Sequence, residues 1–208
     1  GRVVLDAGGF ANWLGWLKIA QKAPGVFLTN DREVGSAVIM QGQAAYYVGE
    51  SDEAQALQAA LGSDALGVAP LPAGPHGPAG PLLRVDALML NQASSPAQSQ
   101  LALCLAKFLT NTEQQTRLAR DLGRVPANGR VRIDPRVTPL VAGFMAQAKT
   151  AVALPNLPQV EDVLIAGDDA YAQALEGVIS VSEAAYKLAD QVNAKYGLAG
   201  GDSARVGQ

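Results

Sequence analysis

Histidine and cysteine each occur only once in the 208 residues. Cys104 has no second cysteine to pair with, so no intrachain disulfide forms. No Cys/His cluster exists to hold a metal. His76 stands alone in a proline-rich loop, which argues against a serine or cysteine hydrolase triad. A phosphate-binding glycine loop is also missing. Gly74, Gly77 and Gly80 alternate with prolines, which lack the N–H groups a phosphate cradle needs. No apolar run approaches the length of a membrane span. There is no basic surplus: the net charge is −3 and the pI is about 5.1, the opposite of what a nucleic-acid surface requires. No cofactor and no metal site are expected.

The remaining composition is globular. Apolar residues make up 49% of the chain and charged residues 17%, with a mean hydropathy of +0.10. The length allows one large domain or two small ones. Organisation is clearest over residues 82–128. An apolar run at 85–90 has strand length. Ser94-Ser95-Pro96 follows, a serine cap with proline at the first helical position. Leu101, Cys104, Leu105 and Phe108 then recur at helical spacing, and Cys104 reads as a small core residue on that apolar face. Thr110-Asn111-Thr112-Glu113 closes this helix and caps the next, with Thr110, Asn111 or Thr112 as the cap. Leu118 and Leu122 continue the second helix. Gly123 ends it and Pro126 prevents a restart.

Ahead of this unit, residues 3–5 read as extended and 10–20 as a helix. Leu14, Leu17 and Trp13 share a face of that helix, and Trp16 lies near its edge. The two tryptophans read as core, with ligand stacking as the other use of such a pair. A helix is predicted over 31–41, a strand over 44–48, and a helix over 52–61 capped by Ser51. A short strand over 67–72 runs into the loop PLPAGPHGPAGP. His76, in the middle of that loop, reads as a solvated side chain. After the central unit, Asp134-Pro135 opens a helix with Leu140, Val141, Phe144 and Met145 on its apolar face. Residues 150–157 are extended. Pro158 opens the longest helix, with Gly167 as a candidate bend. The last helix, over 180–191, is capped by Ser182 and turns Ala184, Ala185 and Leu188 inward. Residues 198–208 have no core-forming pattern and read as a flexible tail. The carboxylate pairs Asp52/Glu53, Glu161/Asp162 and Asp168/Asp169 are adjacent on helices. Their side chains diverge, which suits a solvated face.

Several segments carry a resemblance in order along nearly the whole chain. Gln41-Gly42-Gln43-Ala44-Ala45-Tyr46-Tyr47-Val48-Gly49 resembles the helix-end, glycine and strand segment of extracellular solute-binding proteins of the maltose-binding type. Residues 67–72 resemble the next strand with its Leu-Pro. Ser94-Ser95-Pro96, Phe108-Leu109-Thr110 and Glu113-Gln114-Gln115 resemble the family's helix pair, which leaves through a Val-Pro-Ala like Val125-Pro126-Ala127. Leu154-Pro155-Asn156-Leu157-Pro158-Gln159 resembles its proline-rich lead-in to a late long helix. Residues 177–189 resemble its closing helix.

The resemblance implies an α/β protein with the periplasmic-binding-protein-like type II two-lobe fold, represented here by a helix-rich C-terminal portion with a few short strands. Residues 1–80 and 131–197 would belong to one lobe and 81–130 to the other. Such a protein is the solute-binding component of an ABC importer. It closes its lobes on a small polar solute, with carbohydrate favoured, and delivers it to a membrane permease without a reaction. An extracytoplasmic location, periplasmic or as a cell-surface lipoprotein, and a monomeric state are expected.

Ligand contacts in such a cleft come from strand ends and helix N-termini. Those positions are Glu50 and Ser51 in a turn, Arg84 and Asp86 at a strand start, and Asp168 one turn past Leu164. A structural ion pair or edge charges are the other reading of the charges at 84 and 86. Tyr46 and Tyr47 point to opposite strand faces, so one of them, Tyr46, is placed in the site. The family's aromatic sugar platforms are absent: Glu50-Ser51 and Val163-Leu164-Ile165 occupy their positions. An enzyme reading, a hydrolase or glycosidase-associated domain using Glu50 and Asp86, competes with transport. A helical interaction module is a third reading.

Overall fold

A computed structural model describes residues 3–5, 9–74 and 77–198. His76 and the tail beyond Leu198 lie outside the described residues, so the readings of His76 and of that tail do not bear on the structure. Among the described residues there are eight helices and one pair of two-residue strands. They are α1 (Gly9–Ala20), α2 (Arg32–Met40), α3 (Ala54–Leu61), β1 (Leu82–Leu83), α4 (Pro96–Leu109), α5 (Thr112–Leu122), α6 (Pro139–Ala148), β2 (Val152–Ala153), α7 (Pro158–Glu176) and α8 (Val181–Lys195). The chain forms two compact units. One comprises Gly1–Gly35 with Pro155–Gln208, and the other is Ser36–Leu154.

The first unit is built on α1, α7 and α8. Leu14, Ala170, Ala174, Ala184, Leu188 and Val192 form its buried core. Four of these six are alanine or valine, and such small side chains let the helices approach closely. α7 runs unbroken through Gly167. It ends at Gly177, whose φ of 81° is left-handed and open to glycine at no steric cost. α8 is capped by Ser180, not Ser182: the Ser180 side chain accepts from the Glu183 N–H at 3.1 Å. Ser180 directly precedes the first helical residue, so only its oxygen reaches the free N–H groups of the first turn. Asn193, also buried, accepts from the Val3 N–H and donates to the Val3 carbonyl, both at 2.8 Å.

Trp13 and Trp16 are 47% and 63% exposed, so neither is core. Helical periodicity places Leu14 and Leu17 inward, and both are buried. The tryptophans beside them fall at the margin of that face.

In the second unit, β1 and β2 run parallel, with Leu82 opposite Val152 and Leu83 opposite Ala153. The Val152 N–H donates to the Pro81 carbonyl at 2.9 Å, and the Leu154 N–H to Leu83 at 3.0 Å. Pairing stops before Arg84. Residues 85–90 are exposed and unpaired rather than a strand, and residues 44–48 and 67–72 are likewise outside any sheet. An apolar or alternating run supplies side chains for a strand, but a ladder also needs a partner backbone. None of the described residues supplies one.

Leu71 and Ala79 are tied instead to the end of α6 and the residues just after it. Gln147 accepts from the Leu71 N–H at 2.6 Å and donates to the Ala79 carbonyl at 3.2 Å, and the Thr150 hydroxyl donates to Ala79 at 2.8 Å. α6 itself begins at Pro139. Residues 134–137 form a turn ahead of it, in which Asp134 accepts from the Arg136 N–H.

α4 is capped by a serine as expected, and Ser95 is that cap, in a capping box with Gln98. Its hydroxyl accepts from the Gln98 N–H, and the Gln98 side chain accepts from the Ser95 N–H. Of the open alternatives for α5, Asn111 is the cap, and it accepts from the Gln114 N–H at 2.8 Å. The apolar face of α4 points outward: Leu101 is 71% exposed, and Leu105, Phe108 and Cys104 are exposed with it. The spacing correctly gives a helix with one apolar face, but nothing among the described residues covers that face. Cys104 is therefore not a core residue here.

Candidate functional site

The second unit brings two of the expected site residues together. The Arg84 guanidinium pairs with the Glu50 carboxylate at 3.0 Å across 34 positions of sequence, and both side chains are more than half exposed. Glu50 sits in a loop braced by Glu53. The Glu53 carboxylate accepts from the Glu50 N–H at 2.8 Å and from the Tyr47 hydroxyl at 3.0 Å. α3 consequently starts at Ala54, with Glu53 before it, and Ser51 does not cap it. A Cβ at Gly49 would collide with the Tyr47 ring and lie 2.7 Å from Glu53 Oε2, so a larger residue there would displace the side chains that brace the loop.

Ser51 is exposed beside this loop. Tyr46 is 95% exposed, and Tyr47 is the half-buried member of the tyrosine pair. Asp86 is exposed and, among the described residues, has no ion-pair or hydrogen-bond partner. Arg84 therefore pairs with Glu50 rather than with Asp86.

Asp168 belongs to the first unit. It lies on the wall of a cavity of about 420 Å³, together with Trp13, Tyr171, Leu164, Thr29 and Asn30. The size falls within the range of about 300–1,000 Å³ usual for small-molecule pockets. Leu164, Asp168 and Tyr171 follow at helical spacing on one face of α7. Trp13 comes from α1, its ring 5.9 Å from Tyr171 and 5.8 Å from Phe10. Burial pushes the Tyr171 phenol above its ordinary pKa, so it is a neutral donor at physiological pH. Among the described residues no group bonds to the Asp168 carboxylate, which leaves its oxygens open to a ligand.

A hollow of about 540 Å³ lies against Asn30 to Glu33. It is the open surface of a single turn, in which Asp31 accepts from the N–H groups of Glu33 and Val34. Among the described residues no group of histidine, cysteine or carboxylates is placed to hold a metal ion.

Trp13, Tyr171 and Asn30 were not singled out as site residues from the sequence. Tyr171 was within reach, three residues past Asp168 on the same helix face. Its pairing with Trp13 crosses 158 positions and is a product of the fold.

Residues 4–142 match the family described as Bacterial extracellular solute-binding protein, and the chain belongs to it. None of the curated proteins matches the sequence. Among solved structures, the chain is similar to the maltose-maltodextrin binding protein of Alicyclobacillus acidocaldarius, with a TM-score of 0.75 and 23% identity, over 91% of this chain and 51% of that one. It is similar to maltose-bound MalE3 of T. maritima, with a TM-score of 0.68 and 23% identity, over 94% of this chain and 52% of that one. The maltose/maltodextrin-binding domain MalE of Bdellovibrio bacteriovorus, bound to maltotriose, gives a TM-score of 0.69 and 20% identity over the same shares. The fold is thus the type II periplasmic-binding-protein-like one, and the chain spans about half the length of these neighbours.

Proposed function

We propose that this chain is part of the solute-binding component of an ABC-type importer, which captures a small polar solute, carbohydrate favoured, and delivers it to a membrane permease. The family match over residues 4–142 carries this reading. The likeness in fold to maltodextrin-binding proteins supports the preference for sugar. The protein works by capture and release, without catalysis, outside the cytoplasm and as a monomer with no nucleic-acid partner. Residues 1–80 and 131–197 form one lobe and 81–130 part of the other. Glu50, Ser51, Arg84, Asp86, Tyr46 and Asp168 are the candidate solute-binding residues. Glu50, Arg84 and Asp86 offer charged hydrogen-bonding groups for solute hydroxyls, which are stronger than neutral ones.

Thermal denaturation of the intact protein against a panel of sugars, polyols and charged solutes tests the proposal. A ligand that binds only the folded state raises the melting temperature in a concentration-dependent way. Stabilisation by a sugar with no consumption of that sugar is the expected result. Turnover of the stabilising solute, abolished by Glu50→Gln, would replace transport by a hydrolase.

A further inference from the structure

We propose that residues 124–136 form a cationic face that adsorbs to the anionic phospholipid headgroups of a membrane surface. Six of the ten arginines in the chain lie within residues 117–136, a stretch with no lysine and with only two acids, Asp121 and Asp134. Six arginines against two aspartates leave a surplus of four positive charges there, in a chain whose net charge is −3. The proposal goes beyond the solute-binding reading and does not depend on it.

Two of the six arginines are neutralised where they stand. Arg117 pairs with Glu113 at 3.0 Å and Arg120 with Asp121 at 2.7 Å. Arg124, Arg130, Arg132 and Arg136 are exposed and, among the described residues, have no ion-pair partner. Asp134 accepts instead from the Arg136 backbone N–H at 2.9 Å. The Arg132 guanidinium donates to the Gly129 carbonyl at 3.2 Å, which leaves most of its N–H groups open. The backbone that presents these side chains is fixed. The Ala127 N–H donates to the Gln115 side chain at 3.0 Å, and the Asn128 amide donates to the Thr110 carbonyl at 2.8 Å. Val131, between Arg130 and Arg132, is buried. A segment ordered beforehand loses little freedom on adsorbing. Arginine without lysine points to phosphate, because the guanidinium fork meets two phosphate oxygens at once. Spacing then decides between a bound ion and a surface. Arg124 and Arg130 are separated by up to about 20 Å of extended chain, and both cavities described above lie elsewhere in the molecule. One phosphate ion needs guanidinium groups that converge on it, whereas a fluid layer of headgroups meets charges at any spacing. An acidic protein would need an apolar patch to bury at the centre of the interface. Val125, Val131 and Ile133, the large apolar side chains of the segment, are all at least partly buried.

Co-sedimentation of the intact protein with phosphatidylcholine vesicles, made with and without phosphatidylglycerol, tests this. Binding should require phosphatidylglycerol and weaken as salt is raised. Joint substitution of Arg130→Gln, Arg132→Gln and Arg136→Gln should weaken binding to the anionic vesicles by about tenfold or more. Arg→Lys at the same three positions should recover part of the binding, which separates lost charge from a folding defect. Joint substitution of Lys22→Gln, Lys149→Gln and Lys187→Gln changes the net charge by the same amount and should leave binding nearly unchanged. Equal binding to both kinds of vesicle, or an equal loss in the lysine-to-glutamine variant, overturns the arginine face. Absence of binding to the anionic vesicles at low salt overturns it too. Saturable binding of inorganic phosphate or of polyglutamate in calorimetry, by a protein that leaves the anionic vesicles unbound, overturns the membrane as the occupant.

Discussion

Asn193 holds Val3 by both ends of its amide. Its oxygen accepts from the Val3 N–H and its nitrogen donates to the Val3 carbonyl, each at 2.8 Å, while the side chain is only 3% exposed. The extended segment before α1 thus gains on α8 the two bonds that a neighbouring strand would otherwise supply. Asn193→Ala leaves both Val3 groups and a small void, with an expected loss of about 1–3 kcal/mol. Asn193→Asp turns a buried carboxylate oxygen against the Val3 carbonyl, and should cost at least as much as alanine. Denaturant midpoints of the three proteins check the order. Equal midpoints would remove Asn193 as the tether.

A second tether on α8 makes stability depend on pH. Lys195 Nζ lies 2.7 Å from Asp162 Oδ1, and the Tyr196 hydroxyl donates to Oδ2 at 2.6 Å. Hydrogen bonds from Lys195 and then Tyr196 hold the Asp162 carboxyl below its ordinary value. A depressed folded pKa contributes stability above the unfolded value, about 3.9 for aspartate, and that contribution disappears as pH falls through the folded value. Lys195 and Tyr196 are both raised, chiefly by their bonds to Asp162. Their contribution is full below their unfolded values and disappears as pH rises through the folded ones. Asp162→Asn should therefore flatten both the acid and the alkaline limb of a melting-temperature profile. A variant profile parallel to the natural one would count against this coupling.

The Glu50–Arg84 pair separates a structural role from a binding one. Both side chains are well exposed, and such pairs contribute about 0–1 kcal/mol to stability. Arg84→Ala and Glu50→Gln should each leave the melting temperature nearly unchanged. If both residues touch the solute, each substitution weakens its binding by about tenfold or more, because a charged hydrogen bond is lost. Calorimetric titration alongside thermal melts reads the two effects apart. Unchanged affinity in both variants would take the pair out of the site.

Helix positions were largely legible from the sequence because their signals are local. Ser95-Pro96 opens α4, Gly123 closes α5, and Leu14, Leu17, Leu188 and Ala184 face inward as their spacing indicates. The strands were not legible. Residues 44–48 and 85–90 have the right side chains, but pairing depends on a partner that local pattern cannot supply. The ordered series of segments carried the family, where no single motif did. Of the candidate site, the meeting of Glu50 and Arg84 follows from two separately chosen segments. The Trp13–Tyr171 contact was hidden, because periodicity sorts tryptophans onto a face without saying how far that face extends.

Two glycines in helices should respond to alanine with opposite signs. Gly143 lies in α6, where a Cβ would stand 2.6 Å from the Val68 carbonyl oxygen and 2.7 Å from the Val68 Cβ. Backbone and a branched side chain cannot yield as a flexible tip can, so helix and segment must separate. Gly143→Ala should cost about 1–3 kcal/mol, as overpacking does. Gly15 lies inside α1 with nothing within 4 Å of its added Cβ. There the only change is the helix preference for alanine, and Gly15→Ala should stabilise by up to about 1 kcal/mol. In a chain of this size each kcal/mol moves the melting temperature by about 2–4 °C, so the two shifts are measurable and opposed. A rise with Gly143→Ala would mean that the stretch around Val68 is free to move off α6, and the bonds from Gln147 to Leu71 and Ala79 would then be too weak to hold the loop in place.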